Sequence, residues 1–227
     1  MFTAPPPLKV SQKAENKPNS LVKGQYVNVN KLSDSPPDAT LAVLLAAGAG
    51  SRFGGQSHKL LTEMPNSGGI TVFEMALENL LQANFRQIIV VTGAASIPDA
   101  FLRHQQILVV NNIRWADGQA SSVKAGIQEA MRLDAEAVIV GLADQPFVTP
   151  QAWRLVASSL SPIAVATYGN KRGNPVRLHK SVWSLLPVSG DSGARDLIRL
   201  HPELVSQVDC PGSAADIDTQ EDLAQWT

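Results

Sequence analysis

The sequence predicts an α/β fold with a mainly parallel, twisted sheet and helices on both sides. Apolar runs of five or six residues alternate along the chain with stretches of helical periodicity, the pattern of repeated strand–helix units. The first run, Leu41–Ala46, has no polar alternation, so both faces of that strand are expected to be buried. A glycine-rich loop follows it directly, and in sheets of this kind ligands collect beyond the C-terminal strand ends.

Residues 1 to about 38 stand apart. They hold Pro5, Pro6, Pro7, Pro18, Pro36 and Pro37 among scattered Asn, Ser and Lys and read as a mobile extension. Within it, the alternation in 25–29 suits a short strand. Residues 39–227 read as one domain. Strands are expected at 41–46, 87–92, 107–111, 137–142, 163–167 and 175–178. Helices are expected near 72–83, 96–104, 120–132, 150–160, 181–186, 193–200 and 220–226.

Composition narrows the function. The net charge is −1, which argues against a nucleic-acid partner. No apolar run approaches the ~18 residues of a membrane span. Cys210 is the single cysteine, so neither a disulfide framework nor a zinc cluster is expected, and it reads as a small buried hydrophobe. The N-terminus lacks a continuous signal-type apolar region, so a cytoplasmic location is expected. His58, His104, His179 and His201 show no ligand spacing and are given no catalytic role.

The chemistry gathers in a few segments. Gly48, Gly50, Gly54 and Gly55 let backbone N–H groups approach a ligand, and Arg52 and Lys59 add two cations. That combination suits a nucleoside triphosphate, with roughly four negative charges. It is not a Walker loop, because Gln56 follows Gly55 where Lys-Ser or Lys-Thr belongs. It is not the dinucleotide fingerprint either, because Phe53 stands at the third glycine. Asp144 leaves the strand 137–142 at its C-terminal end, where a carboxylate either holds Mg²⁺ or caps the helix near Pro150. Asp218 precedes a helix that Thr219 and Asp222 open as an approximate capping box, and a second carboxylate there would complete a metal site. Ser121 and Ser122 either cap a helix or contact nucleotide. Trp115 is core or substrate wall. Asn174, Asp191 and Arg195 lie in two glycine-containing polar loops as substrate-facing candidates, and Arg195 either meets a phosphate or is solvated.

The segments LAAGAGSRFGG with Lys59, WADGQASSVKAG, LADQPFVTP, RGNPV, SGDSGARDLIRLHP and DIDTQEDL occur in this order. Together they resemble the MobA-like nucleotidyltransferases, most closely the molybdenum cofactor cytidylyltransferase branch. The resemblance spans about Leu41 to Trp226. It implies a Rossmann-like three-layer α/β/α fold of the nucleotide-diphospho-sugar transferase type. It implies nucleotide binding by Ala46, Ala47, Gly48, Ala49, Gly50, Ser51, Arg52 and Lys59, with Mg²⁺ on Asp144 and Asp218. Ala47, the second alanine of the opening motif, is associated with the cytidine branch. The implied reaction is attack by an acceptor phosphate, that of molybdopterin, on the α-phosphorus of CTP with loss of pyrophosphate. A molybdoenzyme or its chaperone would then be a partner. Ala143, Ala120 and Asn174 depart from the family pattern at positions often Cys, Gly and His, and Asn66-Ser67-Gly68-Gly69 forms an insertion-like turn. Three other expectations remain: transfer from another NTP, an NAD(P)H-dependent oxidoreductase of the nicotine-blue type, and a non-catalytic cofactor carrier.

Overall fold

The computed structural model describes residues 20–22, 25–27, 36–54, 58–187 and 189–226. The expected mobile extension therefore lies mostly outside the described residues. Within it, β1 (Ser20–Val22) pairs antiparallel with β2 (Gln25–Val27), so residues 25–27 of the short strand expected over 25–29 are extended and paired, and 28–29 lie outside the described residues.

The main sheet has seven strands: β3 (Thr40–Ala46), β4 (Ile88–Thr92), β5 (Ile107–Asn111), β6 (Ala137–Leu142), β7 (Ile163–Tyr168), β8 (Lys171–His179) and β9 (Val205–Asp209). Their order is β5-β4-β3-β6-β8-β7-β9. β3 pairs in parallel with β4 and β6, β4 with β5, and β7 with β9. β8 alone runs against its neighbours β6 and β7.

Among the described residues, six α-helices flank the sheet: α1 (Val72–Leu81), α2 (Asp99–Leu102), α3 (Gln119–Arg132), α4 (Pro150–Ala157), α5 (Arg195–Leu200) and α6 (Gln220–Ala224). Successive β3 side chains alternate between two cores. Ala42, Leu44 and Ala46 join Phe73, Leu77 and Leu80 of α1 and Trp153 and Val156 of α4. Leu41, Val43 and Leu45 join Val123, Ile127 and Ala130 of α3 and Leu197 and Ile198 of α5. This is the helices-on-both-faces arrangement that the unbroken apolar run predicted.

Several expectations need correction. The helix near 96–104 is one turn, Asp99–Leu102, with no side-chain cap. The stretch 181–186 is a 3-10 helix over Lys180–Leu185. β8 is longer than 175–178 because its first half pairs with β7 across an irregularity. The register steps from Val165↔Val176 to Ala166↔Gly173. Asn174 and Pro175 are thus left over between paired residues, the kind of place where a residue without an N–H is tolerated in a ladder. β9 was not expected at all. Its inward positions are Ser206 and Val208, so half of its core-facing pattern is polar. The Ser206 hydroxyl is buried against that of Ser159 at 3.1 Å, which satisfies it.

Cys210 follows β9, buried as expected. Burial, with Asp209 nearby, pushes its thiol up from 9.0 to about 12. A folded-state value raised this way gives stability that is present below about 9.0 and lost as pH rises toward about 12. Alkylation by iodoacetamide at pH 8 should accordingly be slow in the native chain and fast in denaturant. Equal rates would show that the thiol is open to reagent.

Candidate active site

The carboxyl ends of β3, β5 and β6 open into one cleft of about 730 Å³. Its walls include the loop Ala46–Arg52, Lys59, Trp115, Ser122, Asp144, Asp191, Arg195, Asp216 and Asp218. The sheet-edge rule therefore places the glycine loop and Asp144 together, and Trp115 is cleft wall rather than core.

The loop is shaped from within. Gly50 adopts φ +62°, a conformation few side chains allow. Phe53 is buried and anchors the loop in the core beside Leu60 and Met64. His58 then ties both ends. Its Nδ1 accepts from the Leu60 N–H at 3.2 Å, and its Nε2 lies 3.0 Å from the Gly48 carbonyl oxygen. A carbonyl only accepts, so Nε2 carries the proton and Nδ1 supplies the lone pair that the Leu60 N–H uses. Metal-ligand spacing, the one signal weighed for the histidines, carries no information about this role. His58→Ala should cost about 0.5–1.5 kcal/mol per lost hydrogen bond, read from urea unfolding. An unchanged unfolding midpoint would remove His58 from loop positioning.

Gly93 was also missed. A Cβ there would lie 2.8 Å from the Ala47 Cβ and 2.8 Å from the Trp115 Cβ. It is the close approach of the loop base and the cleft wall over this residue that requires glycine.

Lys59 lies on a 3-10 turn, Lys59–Leu61. Its Nζ is 2.5 Å from Asp144 Oδ2 and 2.7 Å from Asp218 Oδ1. Arg52 reaches the other Asp218 oxygen at 3.1 Å. Burial pulls the Lys59 ammonium down, but Asp144 and Asp218 together outweigh it and hold it above its usual 10.5, so it is charged at neutral pH.

The alternative of Asp144 as a helix cap is settled locally. Thr149 caps α4, its Oγ1 accepting from the Ala152 N–H at 3.1 Å. Asp144 is free for the cleft, and its Oδ1 is buried with no partner. Asp218 is set by α6. Asp222 accepts from the Asp218 and Thr219 N–H groups at 3.0 and 2.8 Å, and the capping box is complete. The Ile217 N–H donates to the Asp144 carbonyl at 2.9 Å, which locks the two carboxylate segments together. Two carboxylates converging on one point, with a buried oxygen to spare, fit a divalent cation.

Asp216 is a third carboxylate on the cleft that the sequence reading passed over. It accepts from Gln145 Nε2 at 2.8 Å. Partial burial, then the charges of Asp144 and Asp218, raise it above 3.8. The signal was its alternation with Ile217, which is fully buried, so Asp216 and Asp218 share the opposite side.

The serines are a correction. α3 begins at Gln119 behind Gly118, with no side-chain cap, so neither Ser121 nor Ser122 caps it. Asn112 Nδ2 donates to both hydroxyls at 2.9 and 3.0 Å. The Ser121 Oγ lies 2.8 Å from the carbonyls of Arg114 and Gly118 and serves the loop, while Ser122 lines the cleft. Gly118 has φ +96°, and a Cβ on it would meet the Gly190 carbonyl carbon at 2.5 Å. That approach seats the loop carrying Asp191 against α3. Arg195 opens α5 and lines the cleft. Asn174 does not reach it. It lines a smaller adjoining cavity, with Arg195 and Ser192, and its amide donates to Gln145 Oε1 at 3.1 Å.

A sheet of this order, covered on both faces and leading from β3 into a glycine loop, is the Rossmann-like α/β/α fold of the nucleotide-diphospho-sugar transferases. Residues 42–208 match the MobA-like NTP transferase domain, and the chain belongs to that family. Over 206 residues it is 32% identical to the nicotine blue oxidoreductase of Paenarthrobacter nicotinovorans, covering 85% of this chain and 98% of that protein. The crystal structure of Rv0371c from Mycobacterium tuberculosis H37Rv has a TM-score of 0.69 at 26% identity, covering 86% of this chain and 98% of that one. A structure of Rv0371c in complex with manganese has a TM-score of 0.66 at 25% identity, covering 82% and 97%. No helix among the described residues is long and apolar enough to cross a membrane.

Proposed function

We propose that residues 39–227 form a Mg²⁺-dependent cytidylyltransferase that acts in the cytoplasm. It moves CMP from CTP to a phosphorylated acceptor of the molybdopterin type and releases pyrophosphate. The observation that carries this reading is the convergence of Arg52, Lys59, Asp144 and Asp218 at the mouth of the glycine loop. The structure of Rv0371c in complex with manganese, similar at 25% identity, supports a divalent cation as a ligand of this fold.

Asp144 and Asp218 would hold the cation, which supplies positive charge at the reacting phosphate. The backbone of Ala46–Ser51 cradles the triphosphate, and Arg52 and Lys59 neutralise the leaving pyrophosphate. Trp115, Asp191 and Arg195 form the wall facing the acceptor. No protein nucleophile is required, because the acceptor phosphate is already anionic. Catalysis is positioning and charge neutralisation.

A second reading has one observation in its favour: the relative at 32% identity is named an oxidoreductase. One experiment separates the two. Pyrophosphate release is measured with CTP, GTP, ATP and UTP, with Mg²⁺, with and without a molybdopterin acceptor, and NADPH oxidation is followed in parallel with a quinonoid dye. Acceptor-dependent release from CTP supports cytidylyl transfer. Release from another nucleotide moves the proposal to that nucleotide. NADPH oxidation without any release replaces the proposal with the oxidoreductase reading.

A further inference from the structure

We propose that Lys59 is the resident occupant of the cation seat between Asp144 and Asp218, and that a divalent cation takes this seat only after a polyphosphate has drawn the ammonium away. The inference rests on the nucleotide reading above and concerns the order in which its ligands enter.

Lys59 Nζ holds one oxygen of each carboxylate, at 2.5 and 2.7 Å, with only 10% of its side chain exposed. Arg52 holds a third oxygen. The fourth, Asp144 Oδ1, is buried without a partner. A divalent cation held by these two aspartates would need carboxylate oxygens that the ammonium already occupies, and two cations do not share such a seat without strong repulsion.

The backbone beneath Lys59 is fixed, because His58 caps the turn that starts there. What moves is the four-carbon stem. That stem passes directly beside the glycine loop, for a Cβ on Gly50 would lie 3.2 Å from Lys59 Cγ. A phosphate cradled by the loop therefore offers the ammonium a second anion within reach of a side-chain rotation. The same rotation vacates the seat.

The test is Mn²⁺ binding to the full chain without nucleotide, by equilibrium dialysis. The ammonium leaves the seat competent for only a small fraction of the time, so Lys59→Gln and Lys59→Met should bind Mn²⁺ alone at least about tenfold more tightly than the parent. Lys59→Arg should match the parent. Adding Asp144→Asn to Lys59→Gln should remove the gain, which assigns it to this seat. Parent-like Mn²⁺ affinity in both uncharged variants, each with a parent-like melting transition, overturns the proposal.

A second measurement needs no variant. A non-hydrolysable CTP analogue should raise the Mn²⁺ retained by the parent chain by about tenfold or more, on the same fractional-occupancy argument, and no rise overturns the ordered entry. Analogue binding with no gain in the uncharged variants overturns the Lys59 seat and leaves the nucleotide reading intact. A gain in those variants without any analogue binding upholds the seat and removes the nucleotide reading.

Discussion

Asp144→Asn is expected to lower nucleotidyl transfer by on the order of 10²–10³, about 2.7–4 kcal/mol of barrier. The variant keeps the shape of the side chain and removes its charge. Lys59 retains Asp218 at 2.7 Å, so its ammonium stays paired and the fold loses little. What is lost is the charge of one of the two carboxylates that would hold the cation, including that shared by the buried, unpartnered Oδ1. Pyrophosphate release and a thermal melt, run side by side, check this. Activity within a few-fold of the parent would sink the metal assignment. A large fall in melting temperature would instead mean that Asp144 is chiefly structural.

Trp153→Ala should destabilise the chain by about 3–5 kcal/mol, read from urea unfolding. Trp153 sits on α4, is 2% exposed and packs edge-on against Phe85, with ring centroids 6.3 Å apart at 82°. Its ring lies over β6 where Gly141 leaves room, since a Cβ there would be 2.4 Å from its edge. Removing the indole opens a cavity between α4 and the strand that ends just before Asp144, so activity should fall along with stability. Its Nε1 has no hydrogen-bond partner. Trp153→Phe therefore breaks no bond and should cost less, from lost volume alone. The effects of Gly141→Ala and Trp153→Phe should not add, because a smaller ring relieves the clash that the new methyl creates. A cost under about 1 kcal/mol for the alanine variant would show that α4 closes over the gap.

Local pattern determined much of this protein. The apolar runs from Leu41 onward name β3, β4, β6 and β7, because strands buried on both faces need unbroken apolar sequence, and they name the edge strand β5 as well. The glycines with Arg52 and Lys59 mark the loop at the cleft, and Asp144 is placed by its position two residues beyond β6. Thr219 and Asp222 announce the last helix through their own side chains, since a capping box is a contact within four residues.

Tertiary structure alone decided the rest. β8 runs antiparallel and β9 forms an edge strand because of partners far away in sequence. Ser206 could not be read as core until Ser159 was seen to satisfy it. Gly93 is required by the approach of Ala47 and Trp115, neither of which is its neighbour in the chain. Ser121 and Ser122 leave capping and ligand contact open in the sequence, and only Gly118, pressed against the Gly190 backbone at the start of α3, removes the cap. The joint hold of Lys59 on Asp144 and Asp218 unites residues 85 and 159 positions apart from it. Sequence periodicity reports on burial and local hydrogen bonding, whereas a site assembled from the ends of separate strands depends on their order in the sheet, which only the packed chain fixes.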